Sequence, residues 1–187
     1  MQDMRRILRE ILSEMIKRLL KKFLGIDEAD PLKRVQDLKK KGMSIGENVH
    51  IYNSFIDETY FSLIQIGNNV TITNASILAH DASTKKFMGY TKVGKVKIGD
   101  NVFVGYGSII LPETTIGNDV IIGAGTVVKG SVPSDSVIVG NPWKIIGSTA
   151  EYVEKNKKAL NEGAIYDKFA DQEKMKEELG VKKGFIL

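Results

Sequence analysis

"IGDNVFVGYGSIILPETTIGNDVIIGAGTVV", residues 98–128, decides the fold. Stepping by six from Ile98 meets Val104, Ile110, Ile116, Ile122 and Val128, every one a β-branched aliphatic. The residues that follow them are Gly99, Gly105, Leu111, Gly117, Gly123 and Lys129. Four places past each stand Val102, Ser108, Thr114, Val120, Thr126 and Val132, all small or β-branched. A helix repeats about every 3.6 residues and a half-buried strand about every 2. A sustained period of six with glycine at a fixed place fits neither, and is the mark of a solenoid.

The unit reads as one short flat side and one corner of a triangular coil. The aliphatic residue points inward and stacks on its equivalents in neighbouring coils. The glycine turns the corner, where a side chain is crowded or φ is positive. Asn68, Asn69, Asp100, Asn101, Asn118 and Asp119 recur after the glycine, and these residue types suit turns. The same beat runs earlier through Ile66, Ile72 and Leu78, with Gly67, Val70 and Ser76 in their places, and through Ile45, Gly46, Val49 and Ile51.

The beat stops twice. "ILAHDASTKKFMGYTKVGKVK", residues 77–97, departs from it, and residues 79–97 read as a polar, glycine-containing loop leaving the solenoid. Long loops on rigid scaffolds carry function often. His80, one of only two histidines, stands at this loop's root, where the coil can aim it. The second break is "IYNSFIDETYFSLIQIGNN", residues 51–69.

The chain of 187 residues has no cysteine, which excludes disulfides and thiolate metal sites. Two histidines are too few for a three-histidine metal site of the kind that hydrates carbon dioxide on similar solenoids. No run of eighteen apolar residues marks a membrane span. The N-terminus is too charged for a secretory signal peptide, so a cytoplasmic location is expected. A net charge of +4 is mild and spread along the chain, and an anionic small molecule explains it as well as nucleic acid would; no nucleic-acid partner is expected.

The units "IGDNVF", "VGYGSI", "IGNDVI" and "IGAGTV" resemble the hexapeptide repeat of the left-handed parallel β-helix acyltransferases. The stretches "ILAHDASTKKFMGYTKVGKVKIGDNVFVGYGSIILP" and "GAGTVVKGSVPSDSVIVGNPWKIIG" resemble the branch of sugar and xenobiotic O-acetyltransferases that includes the maltose and galactoside enzymes. The likeness covers about residues 42–148. It implies a mainly β fold, a left-handed β-helix, with a catalytic domain over 42–148; outside it, the residues themselves read as N-terminal helices over 1–41 and a C-terminal helical extension over 149–187.

The resemblance also implies an activity. Acetyl-CoA is the donor, no metal takes part, and His80 removes a proton from an acceptor hydroxyl or amine, a role that an imidazole titrating near neutral pH suits. Acceptors are a sugar, a surface-polysaccharide precursor, an amino sugar or a xenobiotic. A non-enzymatic scaffold on the same solenoid is the alternative. Asn53 falls where the galactoside branch has an acceptor-contacting asparagine, although a plain turn asparagine fits as well. Asp57 is a further acceptor-site candidate, and Phe103 stands where that branch lines the acceptor pocket with tryptophan. Asp81 orients His80, contacts the acceptor or caps the loop. Gly105, Tyr106, Gly123 and Ala124 match the path of the pantetheine arm. Lys144, in "VGNPWKIIG", matches a basic residue at the phosphate or adenosine end. Lys129 stands, with Gly130, where the family has a Thr-Lys pair, so the phosphate contacts here differ. Trp143 replaces a small residue and either stacks on adenine or packs under the C-terminal segment. His50 reads as structural. The family assembles as homotrimers with shared active sites.

Residues 4–24 are expected to form a basic helix, with two apolar rows repeating every four residues. Each step of four advances about 40° around a helix, so the stripe winds, which favours packing on protein over a flat membrane surface. Pro31 to Lys41, Thr149 to Leu160 and Asp167 to Leu179 are also expected as helices.

Overall fold

Short parallel strands stack on three sides because the inward aliphatics repeat at fixed intervals. The computed structural model describes residues 30–166, residue 175 and residues 184–186. The first side is built from Ser44–Ile45, Ile64–Ile66, Val96–Ile98 and the later halves of Ile109–Ile116 and Val127–Val132. The second carries His50–Tyr52, Thr71–Thr73, Phe103–Val104, Val120–Ile122 and Ser136–Gly140. The third carries Phe55–Ile56, Ser76–Ile77 and the opening halves of Ile109–Ile116 and Val127–Val132. All these pairings are parallel.

The inward residues form three aliphatic columns. Ile51, Ile72, Val104, Ile122 and Ile138 stack on the second side, Ile56, Ile77, Ile110 and Val128 on the third, and Ile66, Ile98, Ile116 and Val132 on the first. None is more than 3% exposed. Buried Ser108 and Thr126 spend their hydroxyls on the Gly123 carbonyl, at 3.0 and 2.6 Å, so the small polar residues of the repeat are satisfied inside the core.

The corner between the first and second sides is a polar ladder. The backbone N–H groups of Glu47, Asn68 and Asp100 donate to the side chains of Asn68, Asp100 and Asn118 in the next coil, at 2.7–2.9 Å. One place on, Asn48, Asn69, Asn101, Asp119 and Asp135 all have φ between 53° and 57°. Asn and Asp tolerate this left-handed conformation better than other side chains, which explains why they recur here.

The register corrects the six-residue count at two points. Val104 pairs with Ile122 and Ile110 with Val128, a coil of 18 residues. In the earlier coils the step across the second corner is five, from Ile51 to Ile56 and from Ile72 to Ile77. Ile77, not Leu78, therefore takes the inward position, and Asn53 and Asn74, each at φ 43°, turn that corner without the extra residue that Gly107 and Gly125 supply later. The second slip follows Val128: Gly130 pairs with Thr114, so Val132 is the equivalent of Ile116, and Ser136, not Val132, answers Val120.

Helix α1 (Pro31–Lys40) covers the first coil, with Val35 and Leu38 buried and Asp30 accepting from the N–H of Leu32 at 3.0 Å. Helix α2 (Lys85–Met88) sits in the long excursion and ends on Gly89 in the left-handed region. Helix α3 (Thr149–Glu162) starts with a capping box of Ser148 and Glu151. Its first turn is tied to the solenoid by Ala150 N–H donating to Asp135 at 2.9 Å. Ala164–Tyr166 and Gly184–Ile186 pair as parallel strands, which the sequence reading did not anticipate. The helix expected over 4–24 lies outside the described residues, as does that over 167–179 apart from residue 175.

Candidate active site

Both breaks in the beat fall at the same corner, between the third and first sides. In the first coil, Asp57 is followed by a 3-10 turn, Glu58–Leu63. Directly over it in the next coil, the chain leaves the solenoid as a hairpin in which His80–Asp81 pairs antiparallel with Lys92–Val93. Ala79 and Val96 are buried in the core, so the excursion is shorter at each end than the expected 79–97. Gly94 N–H donates to the Ala79 carbonyl at 2.9 Å and closes the hairpin's base.

His80 is the residue at the hairpin's root. Its Nδ1 is hydrogen-bonded to Asp57 Oδ2. The same carboxylate oxygen accepts the Ala79 N–H at 3.1 Å. The Asp57 side chain is 2% exposed and that of His80 34%. The Tyr60 ring, from the 3-10 turn, lies 5.1 Å from the imidazole centroid and is tilted by 41°. One nitrogen is therefore engaged, a tyrosine ring lies beside the imidazole, and about a third of the side chain meets solvent.

A cleft of about 500 Å³ opens beside His80. Leu78, Val93, Leu111 and Pro112 give it apolar walls, and Glu113 and Lys129 stand on its far rim. Lys129 is anchored through its carbonyl, which accepts the Trp143 indole N–H at 2.9 Å. Trp143 itself packs against the core of the solenoid.

The remaining candidates divide by corner. Asp81 lies at the cleft but bonds to Lys92 at 2.7 Å and to the Ser83 N–H at 2.8 Å, capping the loop. The Lys92 ammonium, then the Ser83 donors, hold its carboxyl well below the usual carboxylate range. Asp57 is inside, under the imidazole, and does not line the cleft. Asn53, Gly105, Tyr106, Gly123 and Ala124 are at or beside the second corner, and Phe103, 44% exposed, is on the second side. Lys144 is exposed on the strand Trp143–Gly147, which pairs antiparallel with Ser136–Gly140. A single chain thus brings His80, Asp57, Asp81 and Lys129 together, and holds the second-corner residues on another edge.

Gly105 and Gly123 have a packing reason of their own. A Cβ on Gly105 would lie 2.5 Å from the Ile122 carbonyl oxygen, and one on Gly123 2.7 Å from Val139 Cγ1. His50 is on the second side, stacked on Tyr52 with centroids 6.3 Å apart, which agrees with a structural role. Among the described residues no three His, Asp or Glu side chains are grouped to hold a metal ion.

The sequence reading missed Tyr60 altogether and did not connect Asp57 with His80. The available signal was positional: two irregular segments, each following an inward isoleucine of the third side, must share a corner.

Residues 95–130 match the model of the bacterial transferase hexapeptide family, described as six repeats. The galactoside O-acetyltransferase of Lactococcus lactis is 33% identical over 152 residues, covering 67% of this chain and 72% of its own length. The Bacillus subtilis protein YvoF is 38% identical over 97 residues, 51% of this chain, and the chain spans about half of YvoF's length, 54%. A solved galactoside acetyltransferase in complex with coenzyme A superimposes with a TM-score of 0.50 at 24% identity, over 74% of this chain and 83% of that one. At that identity the superposition speaks for the fold.

Proposed function

The chain belongs to the bacterial hexapeptide-repeat transferase family, and from that premise we propose that it moves the acetyl group of acetyl-CoA to a hydroxyl of a sugar or surface-polysaccharide precursor, with His80 as general base. The observation that carries this reading is His80 itself: a half-exposed imidazole, braced from below, at the edge of a cleft of about 500 Å³. A general base must be held within reach of the proton it removes.

Transfer is direct. The acceptor hydroxyl gives its proton to His80 as its oxygen attacks the thioester carbonyl carbon. The tetrahedral intermediate then collapses, the C–S bond breaks, and the imidazolium returns the proton to the departing thiolate. The products are the acetyl ester and free CoA. General-base help of this kind contributes roughly 10²- to 10⁴-fold. The pantetheine arm lies along the corner glycines and Ala124, and Lys129 and Lys144 meet the polar parts of CoA.

Two further readings belong to the proposal. The coil is left-handed, with residues 42–148 as its catalytic domain between the helical segments. The assembly is a homotrimer, because the second-corner residues of one chain need the third corner of another to complete a cleft. The split of the candidate residues between two edges supports it. A cytoplasmic site suits a reaction that consumes acetyl-CoA.

The test is thiol release from acetyl-CoA over a panel of galactosides, maltose, amino sugars and chloramphenicol. Release with a hydroxyl acceptor, lost in His80→Ala, is the expected result. Transfer confined to amines would overturn the hydroxyl assignment. Activity unchanged in His80→Ala would overturn the general base.

A further inference from the structure

We propose that Asp57 and Tyr60 are positioning residues that fix the imidazole of His80 in one tautomer and one orientation, so that the 3-10 turn Glu58–Leu63 and the hairpin above it are two parts of one device. The inference rests on His80 being the base, and it reassigns Asp57 from the acceptor to the enzyme's interior.

The turn has a cost that needs a reason. The step from Ile56 to Ile66, both inward, takes ten residues, where the step from Ile110 to Ile116 takes six. The added length begins directly after Asp57, whose N–H keeps its bond to the Ile77 carbonyl of the next coil at 3.0 Å. It raises Tyr60 beside the imidazole, at 5.1 Å between centroids.

The Asp57 side chain is 2% exposed, and as the ionised carboxylate that the proposal requires it has only acceptor sites. Oδ2 takes two, from the Ala79 N–H and from His80 Nδ1. For the ring to serve that oxygen, its proton must sit on Nδ1. Nε2 then carries the lone pair, and the neutral ring presents it away from Asp57. The Ala79 contact fixes the carboxylate relative to the backbone that bears the histidine, so carboxylate and imidazole share a frame. The Tyr60 ring stands beside the imidazole, 5.1 Å between centroids, and restrains it on that side. Asp81, the adjacent carboxylate in sequence, is already engaged by Lys92 and Ser83 and does not compete.

When Nε2 accepts the acceptor's proton, the imidazolium forms against a carboxylate already in place. Removal of Asp57 should therefore act on the chemical step and leave donor binding alone.

The experiment joins a spectroscopic and a kinetic readout on the full chain. Nitrogen-15 NMR of histidine-labelled protein, without substrate, should show His80 protonated at Nδ1, with a proton resonance shifted downfield. In Asp57→Asn the side-chain amide can donate to Nδ1, and the ring should switch to the Nε2–H tautomer. With any acceptor that gives turnover, kcat should fall about 10²- to 10⁴-fold, KM for acetyl-CoA should stay within about twofold, and Asp57→Glu should recover part of the loss. Tyr60→Leu should lower kcat about 3- to 30-fold with the tautomer kept, and Tyr60→Phe should be near wild type. An Nε2–H tautomer in the wild-type protein, or Asp57→Asn within threefold of wild-type kcat, would overturn the proposal. Should Asp57→Asn fail to fold, the wild-type tautomer and the Tyr60 pair still decide it. The NMR result needs no acceptor, so it separates failure of this inference from failure of the assigned reaction.

Discussion

Gly105→Ala is the substitution that best separates packing from ligand contact at the second corner. Its new Cβ would lie 2.5 Å from the Ile122 oxygen, 2.7 Å from the Ala124 nitrogen and 2.9 Å from the Gly123 carbon. All three are backbone atoms of the next coil, so no side chain can swing away. The third and fourth coils must part by several tenths of an ångström, against the Gly105 N–H bond to the Ile122 carbonyl at 2.8 Å. Overpacking of this kind costs about 1–3 kcal/mol, and weakening that hydrogen bond adds about 0.5–1.5 kcal/mol. The expected loss is about 1.5–4.5 kcal/mol. Gly107→Ala is the control two residues away. Its Cβ would meet nothing within 4 Å, but φ is +72°, which costs a side chain about 1–2 kcal/mol. Urea unfolding at one fixed protein concentration, since assembly shifts apparent stability, should rank Gly105→Ala below Gly107→Ala and both below wild type. A Gly105→Ala protein as stable as wild type that no longer binds CoA would refute the packing argument and leave Gly105 as a ligand contact alone.

Three further outcomes follow from the geometry. Ile110→Ala, at a position 0% exposed between Ile77 and Val128, should lower unfolding stability by about 2–5 kcal/mol with an unchanged urea slope. Glu58 is held below its ordinary value of 4.5, first by Lys41 and then by Arg34, whose Nη2 lies 2.5 Å away. Its folded-state value is depressed, so its contribution is present above about pH 4.5 and fades as pH falls through the folded value. Glu58→Gln should therefore unfold more easily than wild type at neutral pH, by at most about 1 kcal/mol after solvent screening, with the difference in melting temperature vanishing in acid. Lys129→Ala should raise KM for acetyl-CoA severalfold while leaving the melting temperature within a few degrees, because its anchoring contact is a main-chain carbonyl.

Much of the fold was legible because a solenoid repeats its reasons. Each inward aliphatic sits in the same environment as its neighbours above and below, so the period survives in the sequence. The slips came where the corners differ. Asn53 and Asn74 turn the second corner with one residue fewer than Gly107 and Gly125 allow, so the count drifted by one and placed Leu78 where Ile77 belongs. At Lys129–Gly130 the corner loses two residues, and Val132 slid into the wrong column. Neither loss leaves a gap in composition, because the neighbouring residue is also aliphatic.

The site was legible in its most irregular part. His80 stood out because the hairpin around it breaks the pattern. Asp57 did not, since burial depends on what the following coil lays over it, and an aspartate after an isoleucine in a turn-rich stretch has the look of solvent-facing residues. Its partner lies 23 residues away, and only the stacking of two insertions at one corner brings them together. Lys129 was a candidate from the sequence, but not as a neighbour of His80: chain order puts the two far apart, and two coils of stacking put both on one cleft.

The central claim is that the cleft beside His80 handles the thioester of acetyl-CoA. The most direct measurement is calorimetric titration of acetyl-CoA into the wild-type protein and into His80→Ala, followed by thiol release with the first acceptor that responds. The account predicts saturable binding of about one acetyl-CoA per chain by both proteins, with release only by the wild type. No binding by either would contradict the donor assignment, and equal release by both would contradict the role given to His80.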